Sequence, residues 1–175
     1  MENVNLVILF CDIHDFSKLQ AGMDLDGMAA LVQEIYEILG ETIVSAGGTI
    51  VKYIGDSILA TFPAGAEAAA VGCAIAMRKA FLDLVARRKL VGESELETAV
   101  AAGRVARGLF GHRSLRVQDV FGEVVNHAAV LKHYRGTALT EEVAKAVSGR
   151  FRTEPLPDFR TKWMPTPLKV WRIVD

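Results

Sequence analysis

The hydrophobic pattern changes period several times along the chain. Val4 to Cys11 is a nearly unbroken apolar run, the pattern of a strand buried on both faces. It delivers Asp12 at its C-terminal end, where open sheets commonly bind ligands. A polar loop, Ile13-His14-Asp15-Phe16-Ser17, follows, and Asp24 or Asp26 is placed to cap the next element. From Met28 to Ile43, Leu31, Ile35, Ile38 and Leu39 recur at helical spacing, and Gly47-Gly48 closes that helix. Gly47 to Phe62 then holds two short apolar runs broken by Gly55-Asp56. That stretch predicts a β-hairpin with a carboxylate at its tip.

Pro63 is expected to start a second, Ala-rich helix through about Val85, with a charged connection from Arg87 to Glu97. Thr98 to Val105 reads as a strand, and a long hairpin through Gly108 and Gly111 leads into another over Leu115 to Phe121. Gly122 to Tyr134 has helical periodicity, with Val125, Ala128, Ala129 and Leu131 toward the sheet. The tail alternates a strand at Ala138-Leu139, a helix over Glu141 to Val147, and strands over Phe151 to Glu154 and Leu168 to Val174. The order β-α-β-β-α-β with extra C-terminal elements predicts an α/β (α+β) ferredoxin-like sandwich with an antiparallel hairpin at its centre. In that topology the first strand and the hairpin are neighbours, so Asp12 and Asp56 converge on one rim.

Composition sets the limits. With 175 residues and 51% hydrophobic content, the expectation is one well-packed domain over residues 1–175. The balance of 20 Lys+Arg against 21 Asp+Glu gives no broad basic field of the kind that nucleic acid or anionic membranes select. Cys11 and Cys73 sit in apolar runs and read as reduced core thiols. No basic leader precedes the first apolar run, and Ala64 to Met77 is short and interrupted by Glu67. A cytoplasmic location without membrane insertion is therefore expected. Gly55-Asp56 taken alone is an ordinary turn, since Asp is favoured there for its own backbone hydrogen bonds. The second carboxylate, Asp12, changes the picture, because two carboxylates at close range repel unless a cation sits between them. Hard oxygen ligands suit Mg²⁺ or Mn²⁺, completed by water and phosphate oxygens. The pair thus points to a two-metal phosphoryl-transfer site.

Three stretches carry a resemblance. Phe10-Cys11-Asp12-Ile13-His14-Asp15-Phe16-Ser17, Lys52-Tyr53-Ile54-Gly55-Asp56, and Asp119-Val120-Phe121-Gly122-Glu123-Val124-Val125-Asn126-His127-Ala128-Ala129 resemble class III nucleotidyl cyclases. The similarity runs from about Val4 to Trp171. It implies a ferredoxin-like core that dimerises head to tail, and closure of ATP or GTP into a cyclic 3′,5′-monophosphate. It also implies that Asp12 and Asp56 hold two metal ions, and that Lys52 and Asp119 read the base. A lysine donor toward N1 and a carboxylate acceptor for the N6 amine select adenine over guanine. Asn126 matches the ribose-positioning asparagine, and Arg104 and Lys162 match basic residues that contact the triphosphate. The implied assembly is a homodimer with composite sites at the interface, taking ATP as substrate.

The chain also departs from the family pattern. The transition-state arginine expected four residues after Asn126, one helical turn along, is Val130. His133 lies two turns along from Asn126 and Lys132 lies off that face. Asp15 stands where the first motif usually has glycine, which adds a carboxylate near the triphosphate. Two functions follow: an adenylate cyclase, slowed by the missing arginine, or a catalytically degenerate cyclase-like domain that binds nucleotide or a partner and serves in dimerisation or regulation.

Overall fold

The computed structural model describes residues 1–90, 94–132, 134–162 and 164–174. β1 (Glu2–Ile13) lies inside an eight-stranded sheet. Val7, Leu9 and Cys11 feed one core while Leu6, Ile8 and Phe10 feed a second on the opposite face. Burial on both faces removes any need for alternation, which accounts for the continuous apolar run. β2 (Thr49–Ile54) and β3 (Ser57–Pro63) form the expected hairpin, and β3 pairs antiparallel with β1. On its other side β1 pairs antiparallel with β4 (Leu96–His112). β5 (Leu115–Phe121), β6 (Thr137–Thr140), β7 (Thr153–Phe159) and β8 (Leu168–Ile173) complete the sheet. The strand order is β2-β3-β1-β4-β6-β8-β7, with β5 paired to β4. Its first four strands, joined through helical crossovers, have the ferredoxin-like order.

The helices are α1 (Phe16–Leu19), α2 (Leu25–Ser45), α3 (Glu67–Arg88), α4 (Glu123–Leu131) and α5 (Glu141–Val147). α2, α3 and α5 cover one face of the sheet, and α4 covers the other. Asp24 is the N-cap of α2, accepting from the Gly27 amide at 2.8 Å. At the other end the amides of Gly47 and Gly48 donate to Val44 and Ile43, and Gly47 takes φ 83°. That pairing satisfies two terminal carbonyls and needs a left-handed residue, hence the Gly-Gly stop.

Several boundaries differ from expectation for physical reasons. The hairpin forms one edge of the sheet rather than its centre, because β1 is inserted between β3 and β4. Pro63 ends β3, opposite Leu6, instead of opening a helix, and α3 begins at Glu67. Leu96 and Glu97, read as part of a charged connection, belong to β4, where the Glu97 carboxylate lies 3.4 Å from His14 Nδ1. β7 runs through Pro155 and Pro157 to Phe159. Two prolines are tolerated because β7 ends the strand order and pairs with β8 alone.

Cys11 and Cys73 are both buried and unpaired, and burial pushes each thiol up to about 12. At pH 8 the thiolate fraction is then about 10⁻⁴. Native protein should leave Ellman's reagent unconsumed over an hour and react at both thiols once denatured. Prompt reaction of the folded protein would contradict this packing.

Candidate active site

Asp12 reaches the sheet rim at the end of β1, and Asp56 stands at the β2–β3 turn, where Gly55 adopts φ 61°. Cross-strand pairing of Cys11 with Ile58 puts the two ends side by side. Asp12 Oδ1 accepts from the Ser57 hydroxyl and, at 3.0 Å, from Lys132 Nζ. Burial pushes the Asp56 carboxyl above its usual range and the charge of Asp12 adds to this, while nearby backbone amides and the Lys132 ammonium pull the other way. These two carboxylates thus carry negative charge that is only partly offset at a partly desolvated rim, where Asp12 already rests against the Lys132 ammonium. An all-oxygen pair in that electrostatic state fits a hard divalent ion. Among the described residues no cluster of three or more His, Cys, Asp or Glu could hold a metal, so water and substrate oxygens would have to complete its shell.

The turn is braced from α2. The Tyr36 hydroxyl donates to the Gly55 carbonyl, and its ring stacks on Tyr53 with centroids 4.1 Å apart. Asp15 takes φ 56°, a left-handed conformation that favours glycine. Its carboxylate accepts from Lys18 at 2.6 Å, and that bond holds it below the usual carboxylate range.

Lys52 and Asp119 meet although 67 residues separate them: Lys52 Nζ lies 2.6 Å from Asp119 Oδ2. Asp119 is buried and its other oxygen accepts from the Val120 amide at 2.8 Å. Lys52 also stands over the Phe121 ring, 5.7 Å from its centroid. A fixed acceptor and a donor therefore sit side by side on an apolar floor, an arrangement suited to the edge of a planar heterocycle.

Asn126 is exposed on α4, which Val124, Ala128 and Leu131 anchor to the sheet. Together with Val130, Thr161 and Met164 it lines a cleft of about 450 Å³. Lys162 is exposed and follows the cleft residue Thr161 in the chain. Arg104 is exposed in β4 opposite Asn5. Strand alternation sets it on the face away from Ala99, Ala101 and Val105, which pack under α4, so Arg104 lies on the opposite side of the sheet from Asp12 and Asn126. His133 lies outside the described residues.

Ser57 and Glu97 were not singled out by sequence reasoning, and Lys132 was set aside because it lies off the Asn126 face. Lys132 lies off the Asn126–Val130 face, as helical spacing requires, and for that reason it turns back to Asp12. Glu97 is the register partner of Asp12, is 5% exposed, and shares its sheet face. The β-period could have flagged Glu97 had β4 been extended to Leu96.

The sequence model of the Adenylate and Guanylate cyclase catalytic domain matches residues 1–156. The chain belongs to that family. Among curated cyclase relatives, an adenylate cyclase of Anabaena cylindrica is 30% identical over 154 residues, covering 82% of this chain and 31% of the relative. Adenylate cyclase 1 of Rhizobium meliloti (strain 1021) is 24% identical, covering 95% of this chain and 27% of the relative. The chain therefore spans about a third or less of these relatives. In three dimensions it is similar to the adenylyl cyclase CyaB from P. aeruginosa, with a TM-score of 0.93 at 21% identity, covering 99% of this chain and 95% of that one. The guanylyl cyclase Cya2 aligns with a TM-score of 0.86 at 21% identity, covering 98% and 92%. One cyclase fold is thus shared with neighbours named for either nucleotide. Among the described residues no helix is long and apolar enough to cross a membrane.

Proposed function

We propose that this cyclase domain is an adenylate cyclase acting as a cytoplasmic homodimer on ATP. In the reaction the ribose 3′-oxygen bonds to the α-phosphorus, the bond from that phosphorus to the bridging oxygen breaks, and pyrophosphate and the hydroxyl proton depart. Two divalent cations, Mg²⁺ or Mn²⁺, held by Asp12 and Asp56, would supply activation of the 3′-hydroxyl and neutralisation of the triphosphate. Asn126 orients the ribose. Lys162, exposed and next in the chain to the cleft residue Thr161, serves the triphosphate, a role for which Arg104 has no comparable support.

The observation that carries adenine is the Lys52–Asp119 pair, 2.6 Å apart with the acid buried. The ammonium donates toward N1 and the carboxylate accepts from the N6 amine. Guanine presents a carbonyl and a protonated N1 at those positions, leaving like groups face to face, a mismatch that buried polar groups tolerate poorly. The test is parallel incubation with ATP and GTP in Mn²⁺, with products identified by mass spectrometry. Preferential turnover of GTP would reject the assignment.

Composite sites are supported by α4 itself. Asn126 and Val130 face the cleft while Lys132 faces Asp12, so the helix separates the ribose reader from the carboxylates of its own chain. A two-fold dimer would supply each set with the other. Asp56→Asn and Asn126→Ala, each inactive alone, should regain activity on mixing, up to about a quarter of the parent for random pairing with one intact site in two. A verified mixed dimer without rescue would place each site within one protomer. A second reading, a degenerate domain that binds nucleotide or a partner cyclase, is favoured only by Val130.

A further inference from the structure

We propose that Lys132 is a resident counter-ion of Asp12: its ammonium fills the space in which that carboxylate would take a divalent cation, and metal binds only by displacing it. This inference rests on the reading of Asp12 as a metal ligand. The ammonium lies 3.0 Å from Asp12 Oδ1, the oxygen that also accepts from the buried Ser57 hydroxyl. An oxygen-bound Mg²⁺ or Mn²⁺ sits closer, at about 2.0–2.2 Å. The two cations cannot share that approach to Oδ1.

The side chain is placed there by its surroundings. Lys132 directly follows the last residue of α4 and lies one turn beyond Ala128, which is wholly buried against the sheet. Its side chain is 24% exposed and its ammonium stands over the Phe10 ring, 5.5 Å from the centroid. Packing of α4 and the aromatic face therefore hold the cation at the carboxylate without help from the ligand.

The electrostatic consequence has a definite sign. Asp12, Asp56 and Glu97 are gathered at this rim by the β1–β4 register and the hairpin turn, and His14 lies against Glu97. Lys132 offsets part of that charge in the metal-free protein. Removing it exposes a more negative site to an incoming cation and removes the competitor. Lys132 is thus a positioning residue that raises the metal concentration at which the site fills.

The test measures Mn²⁺ affinity of the nucleotide-free whole chain by electron paramagnetic resonance of free Mn²⁺. Lys132→Met keeps stem length and contact with Phe10 but loses the charge, and should tighten Mn²⁺ binding by about tenfold, the scale of one half-buried ion pair. Lys132→Arg should bind as the parent does. Asp12→Asn should abolish the tight site in the parent and in Lys132→Met alike. Equal affinity of parent and Lys132→Met, with binding still lost in Asp12→Asn, would overturn the counter-ion while sparing the metal reading. Tightening that persists in the Asp12→Asn background would also overturn it. Unchanged Mn²⁺ binding in Asp12→Asn would remove both. Should Lys132→Met fail to fold by circular dichroism, Lys132→Gln carries the same expectation and the same refutation.

Discussion

Asp56→Asn is expected to lower cyclase turnover by at least about 10³-fold, the equivalent of roughly 4 kcal/mol on the barrier, a share that a metal-binding ligand commonly controls. The turn itself does not need the charge: Gly55 supplies the left-handed conformation and Tyr36 braces the carbonyl. Burial and Asp12 raise the Asp56 carboxyl above its ordinary range, so its protonated form is favoured by folding. That stabilisation is fully present below the ordinary carboxylate value and is lost as pH rises through the raised one. In metal-free protein at neutral pH, Asp56→Asn should therefore melt at a higher temperature than the parent, and the gap should close on acidification. Calorimetry across pH, beside an assay of cyclic product, checks both halves. Parental turnover would sink the carboxylate assignment, and a lower melting temperature would contradict the electrostatic account.

Val130→Arg should raise kcat by tens-fold or more, about 2 kcal/mol, with a smaller change in KM. Residues 126 and 130 share one face of α4 and line the same cleft. A guanidinium there would stand beside Asn126, where charge develops during attack on the α-phosphate. The helix should accept it, because position 130 lies in its last turn, where a cation is favoured by the helix dipole. If Val130 is instead an apolar contact between protomers, the arginine will weaken dimerisation and leave turnover low. Sedimentation run beside the assay separates the cases: an intact dimer with no gain would reject the missing-arginine explanation.

Much of this was legible because period and burial speak the same language. The run from Leu6 to Cys11 has no polar break because both of its faces are covered, and Leu31, Ile35 and Leu39 recur because α2 has one covered face. Asp12 and Asp56 could be brought together from topology alone, since β1 and β3 are neighbours in a ferredoxin-like order. What stayed hidden depends on long-range register. Lys132 meets Asp12 across 120 residues, and a lysine just past a helix end reads as solvated until the docking angle of α4 is known. Glu97 lay hidden because the charged stretch before Thr98 reads as a connection, whereas β4 starts at Leu96 and His14 stands beside the buried carboxylate. Arg104 matched a motif, but strand alternation turned it to the opposite face of the sheet from α4.

The Tyr36 hydroxyl and the Tyr36–Tyr53 stack join the Gly55-Asp56 turn to a 21-residue helix. A hairpin tip on its own is compliant, since its last rungs fray independently of the sheet behind it. Here the tip inherits the stiffness of α2, whose inner face is locked by Leu31, Ile35, Leu39 and Ile43. The same linkage works in reverse: a sub-ångström slide or roll of α2 arrives at Asp56 as a change in carboxylate spacing. The helix meets the chemistry near its middle, at Tyr36, and its N-terminal end, at Leu25, is exposed to whatever the solvent side brings against it.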